Sequence, residues 1–296
     1  MNTHWRKSFG PSEFTSILIG DEQMLHHYKP ALNLVLQIGE VVRQSCPYLK
    51  LYNIGDMLDA SSLSGFPSVK RPALFADEIK AASVWLDALK KRLSPDEWTF
   101  IMGNHEARLL RVLANTPQLA QFDSLLAIGK QLNFEGRGIK CPGPYGFSVW
   151  MIPGYNKTRN IQVGHGQIVR KEAGQSAIAE ARNVMSGSAT GHTHRGAALR
   201  IATPDTDGTK VLMPAIETAC LSKLVVPGLG DGLYDSAQQG NPLSMNSHLG
   251  FSVVSFSSGF WNLENVLIEI DGEETFAWFR GVRYIADVKD KDLKGL

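Results

Sequence analysis

The sequence predicts an α/β fold with two mixed sheets flanked by helices, and three observations carry that expectation. Short apolar runs in the first hundred residues each end in a glycine followed by an acid or an amide. Between them lie longer segments with apolar residues at helical spacing. From about residue 147 the pattern turns to strand-like runs, with one helical stretch among them. The opening order of strand, helix, strand, helix, strand is a βαβαβ layout, which requires a parallel sheet.

Residues 16 to 20, Ser-Ile-Leu-Ile-Gly, read as a buried strand delivering Asp21 to a loop. A helix follows over about 30 to 45, with Leu32, Val35, Leu36 and Val42 on one side. Residues 48 to 56 repeat the syntax and end in Gly55-Asp56; a helix over about 74 to 93 carries Phe75, Ile79, Ala82, Trp85 and Leu89. A third strand over 98 to 104 ends in Gly103-Asn104. Helical stretches at 105 to 115 and 117 to 131 precede a Gly/Pro-rich break at 141 to 146. Strands at 147 to 152 and 160 to 164, a helix at 172 to 185 and a strand at 187 to 191 lead into Gly191-His192. The remaining strands are expected at 196 to 203, 210 to 219, 250 to 257, 263 to 270 and 275 to 284. The segment 227 to 249, rich in Gly, Asp, Ser and Asn, is a long loop of the kind that is functional or mobile, expected near or over the site.

One domain over 1 to 296 suits this length. A composition 43% hydrophobic and 20% charged is that of a packed globular protein, which excludes disordered and fibrous classes. The cysteines Cys46, Cys141 and Cys220 are odd in number and far apart, so neither a disulfide framework nor a thiolate zinc site is indicated. A reducing, cytoplasmic setting fits, and no apolar run reads as a signal peptide or membrane span. A net charge of +1 gives no global field for a polyanion, though a local groove is compatible with it. Lys157, Arg159, Tyr155 and Trp261 could line such a groove, though ordinary core or surface packing is the favoured reading of them.

The chemistry lies at the strand ends. Asp21, Asp56, Asn104, His165 and the pair His192/His194 are metal-binding residue types placed just after apolar runs. Singly, the acids read as helix N-caps, Asn104 as a turn residue and His165 as a buried, satisfied histidine. Jointly they read as loops converging on one edge of a sheet. Two divalent cations about 3.5 to 4 Å apart need such a mixture of oxygen and imidazole donors to activate water and clamp a phosphoryl group.

In order, the blocks are Asp21-Glu22-Gln23, Gly55-Asp56-Met57-Leu58-Asp59, Gly103-Asn104-His105-Glu106, Gly164-His165-Gly166 and Gly191-His192-Thr193-His194. This series resembles the calcineurin-like metallophosphoesterases, whose pattern runs Asp-x-His, Gly-Asp-x-x-Asp, Gly-Asn-His-(Asp/Glu), a lone His and Gly-His-x-His. It covers residues 16 to about 196; the tail from about 205 is similar to phage-type members. The resemblance implies a four-layer α-β-β-α sandwich and a hydrolase with two divalent cations, Mn²⁺ ahead of Mg²⁺, Zn²⁺ or Fe. It implies Asp21 and His194 on one cation, Asn104, His165 and His192 on the other, and Asp56 between them. His105 becomes the general acid or phosphate-stabilising imidazole, oriented by Glu106 or Asp59. Arg108 and Arg195, close to two of the motifs, suit a bidentate hold on phosphate oxygens or, as readily, pairing with a nearby acid. Gln23 departs from the family histidine; it ligates directly, acts through water, or yields its place to His26 or His27. Protein phosphatases of the superfamily carry Asp-Arg-Gly where this chain has Asp59-Ala60-Ser61. A phosphodiesterase of nucleic acid or a nucleotide is therefore favoured over a phosphomonoesterase, with a catalytically weak binding protein as the contrasting class.

Overall fold

A computed structural model describes residues 13–65, 73–151, 160–204, 208, 210–223 and 247–296. The first sheet begins with β1 (Phe14–Ile19), β2 (Leu49–Asn53) and β3 (Glu97–Phe100), adjacent and parallel. Helices α1 (Lys29–Ser45) and α2 (Phe75–Leu93) make the two crossovers between them. Pro30 sits in the first turn of α1, where its missing N–H costs nothing. In α2, Asp77 and Glu78 occupy the first turn and Lys90, Lys91 and Arg92 the last, each sign complementing the helix dipole. A Cβ on Gly39 would collide with the Leu93 side chain, so the glycine sets how closely α1 approaches the end of α2.

Residues 107 to 137 form α3 (Ala107–Asn115) and the short turns α4 (Pro117–Ala120), α5 (Asp123–Leu126), α6 (Ile128–Gln131) and α7 (Phe134–Arg137). The single helix expected over 117 to 131 is therefore broken. Ala127 leaves the helical region at φ −53°, ψ 129°, and Thr116, before Pro117, separates this stretch from α3 at φ −130°, ψ 81°. The two-residue β4 (Ile139–Lys140) closes this edge.

The second sheet comprises β5 (Val149–Met151), β6 (Ile161–Val163), β7 (Gly187–Thr190), β8 (Ala197–Pro204) and β9 (Lys210–Glu217), in the order β5-β6-β7-β9-β8. Helix α8 (Gln175–Val184) connects the parallel pair β6 and β7. The chain then returns to the first sheet through β10 (Leu249–Ser257), β11 (Phe260–Asp271), β12 (Glu274–Phe279) and β13 (Val282–Ile285). That sheet runs β13-β12-β11-β10-β1-β2-β3-β4. The one strand expected over 275 to 284 is a hairpin, because Arg280 and Gly281 both take positive φ, 51° and 79°, and turn the chain.

Three apolar clusters mark the layers. One packs α1 and α2 on the first sheet through Leu32, Val35, Trp85 and Leu89; a second fills the space between the sheets with Phe14, Ile54, Val163, Ala189 and Phe256; a third joins Ala177 and Ala181 of α8 to Ala215. The result is helix, sheet, sheet, helix. Trp261 is 8% exposed and packs edge-on against Phe14 and Phe256, in the core rather than in a groove. Tyr155, Lys157, Arg159 and all but the last three residues of the expected 227 to 249 loop lie outside the described residues. No helix among the described residues is long and apolar enough to cross a membrane.

Candidate metal centre

Five strands deliver the site. The carboxyl ends of β1, β2 and β3 lead to Asp21, Asp56 and Asn104, and those of β6 and β7 to His165 and to His192 and His194. Parallel neighbours place successive ends on one edge, which is why residues far apart in sequence meet there. Backbone bonds tie the loops together: Asp21 N donates to Gly55 O at 2.9 Å and Gln23 N to Asp56 O at 3.0 Å. Asp21, Gln23, Asp56, His192 and His194 all have φ between 47° and 70°, a left-handed conformation that side chains adopt at a cost and that concentrates at functional sites. Glycines make room beside them. A Cβ on Gly103 would overlap the Asp56 carboxylate, and one on Gly191 would stand 2.7 Å from Asp21 Oδ2.

Asp56, His165 and His192 form a cluster able to hold a metal ion, with one ligand atom from each lying within 4.8 Å of the others. Asp56 Oδ2 is 3.3 Å from His165 Nε2, which is 3.2 Å from His192 Nδ1 and 3.0 Å from Asn104 Oδ1. The other nitrogen of His165, Nδ1, lies 2.8 Å from Ile54 O, a bond that fixes the ring and turns Nε2 to the cluster. On the adjoining side, His194 Nε2 is 3.3 Å from Asp21 Oδ1 and 3.5 Å from Gln23 Nε2. Asp21 Oδ2 accepts from His192 N at 2.9 Å, linking the two groups. His26 is turned to Asp59, at 3.7 Å, and His27 is buried beside Ser222, so Gln23 is the one of the three that stands next to His194.

Charge couples these groups. Burial favours a neutral Asp56, but the His165 and His105 imidazoles outweigh it and hold its carboxyl well below the usual range. Burial likewise opposes a charged His165, yet the Asp56 carboxylate pushes it up to about 9. His194 is also raised against burial, by Cys220 and Asp21, whereas burial and the neighbouring His165 charge lower His192. The field at this edge thus attracts positive charge. Asp21 Oδ1 and Gln23 Oε1 are buried without a hydrogen-bond partner among the described residues. Oxygen and imidazole donors with orphaned acceptors in a negative field fit a divalent cation.

His105 stands at the rim of this group. Its Nδ1 is 2.9 Å from Asp59 O and 3.2 Å from Asp59 Oδ1, and its Nε2 is 3.7 Å from Asp56 Oδ2. Burial lowers its pKa, but the Asp56 charge and the Asp59 bond together raise it above its ordinary value. Arg108 donates Nη1 to Asp59 O at 2.6 Å and brings Nη2 to 3.2 Å from His105 Nε2. Of the two carboxylates expected to orient His105, Asp59 is the one beside it. Glu106 is taken up by the backbone instead: Oε2 accepts from Asp56 N and Gly103 N at 2.9 and 2.8 Å, and Oε1 from Leu58 N at 2.9 Å. Arg195, expected to face a phosphate, is 1% exposed and donates Nη1 to the carbonyl of Arg170, while its Nε has no hydrogen-bond partner among the described residues. Sequence reasoning passed over Glu78, which accepts from Ala60 N at 2.6 Å and braces the loop carrying Asp59. A carboxylate in a helix's first turn reads as ordinary dipole compensation, so no local signal sets it apart.

No family profile matches the sequence, and no curated protein does. Among solved structures, the chain aligns with the NAD nucleotidase of Haemophilus influenzae at 10% identity and a TM-score of 0.38, over 96% of this chain and 61% of that one. It aligns with a protein described as a diadenosine tetraphosphatase at 14% identity and a TM-score of 0.32, over 85% and 93%. The phosphopantetheinyl hydrolase of Mycobacterium tuberculosis gives 16% identity and a TM-score of 0.24, over 58% and 52%. The chain therefore spans less than two-thirds of the first of these proteins. Superpositions this loose say nothing about the chemistry, which rests on the side chains themselves.

Proposed function

We propose that this chain is a metal-dependent phosphoester hydrolase, similar to the calcineurin-like metallophosphoesterases, that acts on a phosphodiester of nucleic acid or a nucleotide. The observation that supports this reading is the meeting of five strand ends from two sheets, with buried oxygen and imidazole donors, of which Asp21 Oδ1 faces the His194 imidazole and Gln23 Oε1 has no hydrogen-bond partner among the described residues. Asp21, Gln23 and His194 would hold one divalent cation and Asn104, His165 and His192 a second, with Asp56 shared. When bound, such a pair supplies Lewis acidity at the phosphoryl oxygens and makes water a nucleophile at neutral pH.

The protein's own groups supply position and protons. Asp59 holds Nδ1 of His105, so that Nε2 is the nitrogen left to face Asp56 and Arg108. There it can keep a proton against a phosphoryl oxygen or deliver it to the departing oxygen. Arg108 adds a fixed positive charge at the same rim. The diester preference follows from Ala60-Ser61 standing where an arginine would serve protein phosphatases. The test is elemental analysis of purified protein, coupled to hydrolysis of bis(p-nitrophenyl) phosphate, p-nitrophenyl phosphate, DNA and RNA with added Mn²⁺. Protein that binds no divalent cation and cleaves none of the four would overturn the reading.

A further inference from the structure

The outer face of the second sheet carries a cavity that the proposed chemistry leaves unused. Ile161, Val163 and Ala189 face the core between the sheets, so Gln162, Ser188 and Thr190 face the opposite way, toward α8. Between that face, Glu180 and Val184 of α8 and the segment 145–148 lies a cavity of about 200 Å³. It lies below the range of sites for drug-sized ligands, which restricts an occupant to a small group such as a single ring system. His165 lines it, with the Tyr145 ring edge-on at 6.1 Å between centroids and 70° between planes.

The lining has a definite chemistry. Among the described residues the lining holds no lysine or arginine, and its charged groups are already engaged: His165 by the Asp56 carboxylate, and Glu180 by Gln167 N and Ile168 N. Instead it offers the Tyr145 and Phe147 rings, the amides of Gln162 and Gln167, and hydroxyls. Gln162 is pinned to Ser148 Oγ at 2.6 Å, and Glu180 Oε1 fixes the loop after His165 by accepting from Gln167 N and Ile168 N at 2.9 and 3.0 Å. Thr190 is 4% exposed, yet its Oγ1 has no partner among the described residues. A buried hydroxyl left unpaired is unfavourable, a cost that a hydrogen-bonding ligand removes. Rings to stack on and neutral donors and acceptors to read an edge suit a planar, uncharged heterocycle. Gly164 and Gly166 flank His165, and Thr190 is two residues before His192, so the cavity wall runs directly into the metal cluster.

We propose that this cavity binds the nucleobase of a nucleotide-type substrate whose phosphoester lies at the Asp56–His165–His192 cluster. Only the phosphate half rests on the hydrolase reading. Calorimetric titration of the full chain with adenosine, guanosine, cytidine and uridine, with ribose as the control, tests the cavity without metal or turnover. At least one nucleoside should bind with a Kd below about 1 mM and ribose should not. Thr190→Val and Phe147→Ala should each weaken that binding about tenfold, as the loss of one hydrogen bond or one stacked ring predicts. The same variants should lower kcat/KM for a nucleotide diester relative to bis(p-nitrophenyl) phosphate. Phe147 is 52% exposed, so its variant keeps the test decisive if Thr190→Val fails to fold. Hydrolysis without any nucleoside binding, or binding that neither variant weakens, overturns the cavity and leaves the hydrolase reading standing. Nucleoside binding that both variants weaken, without hydrolysis, upholds the cavity and overturns the hydrolase reading.

Discussion

His105 is fixed at Nδ1 by Asp59 and approached at Nε2 by Arg108, so it is oriented for proton work without standing in the cluster of Asp56, His165 and His192. His105→Ala should lower turnover by roughly 10²–10⁴, the span of a lost general acid, and leave the metal content near wild type. Parallel loss of metal and activity would make it a ligand instead. In the proposed metal site, Gln23 offers a neutral amide oxygen beside His194. Its site is rich in oxygen and should hold Mn²⁺ more weakly than the site of His165 and His192. Gln23→His should tighten it by roughly 10- to 100-fold, read by titrating metal-free protein with Mn²⁺. Two equally tight sites in the wild type would remove Gln23 from the ligand set. Glu78 offers a test by pH. Burial pushes its carboxyl up to about 8 from an ordinary 4.5, against the bond from Ala60 N. The folded state therefore binds this proton more tightly than the unfolded chain. Its contribution is intact below the unfolded value and is lost as pH rises through about 8. Glu78→Gln, a mimic of the neutral acid, should gain stability relative to wild type as urea denaturation is moved from about pH 5 to about pH 8. Identical pH profiles would place the proton elsewhere.

At the scale of elements, the ends of β2 and β3 are clamped by one carboxylate. Glu106 gathers the N–H groups of Asp56, Leu58 and Gly103, so the turn that presents Asp56 and the turn that presents Asn104 share a single brace. Glu106→Gln keeps the shape but turns an amide donor toward backbone donors. It should cost roughly 1–3 kcal/mol in urea denaturation and weaken Mn²⁺ binding, because the loops lose their common anchor. Unchanged stability would mean that the turns hold themselves. The sequence marks Glu106 as a member of Gly-Asn-His-Glu but not its task, since the backbone groups it serves lie up to fifty residues away.

For the molecule as a whole, the last segment of the chain is strapped across both helices of the first layer. Asn33, 1% exposed in α1, donates to Asp290 Oδ2 at 2.7 Å and accepts from Asp287 N at 2.7 Å. Arg92 of α2 reaches the same Asp290 at 2.8 Å and also pairs with Glu40. Asn33→Ala should leave buried partners unsatisfied, cost roughly 1–3 kcal/mol and expose residues 287–296 to limited proteolysis. A tail as resistant as in the wild type would assign its anchoring to Leu293, Arg92 and the Lys91–Asp292 ion pair.

Local chemistry made much of this legible from the sequence. Periodicity located α1, α2, α8 and the central strands, and glycine followed by an acid, amide or imidazole marked Asp21, Asp56, Asn104, His165 and His192, with His194 two residues beyond the last. These are short-range signals, fixed by backbone period and by which residues tolerate a turn. Only the tertiary structure decided which ends meet, because β1–β3 and β6–β7 belong to different sheets brought together by the core of Ile54, Val163 and Ala189. It also decided that Asp59 rather than Glu106 faces His105, that Arg195 is spent on Arg170, and that a cavity opens beside His165. A partner is chosen by reach across packed layers, and a carboxylate or guanidinium has the same local sequence signature whichever partner it finds.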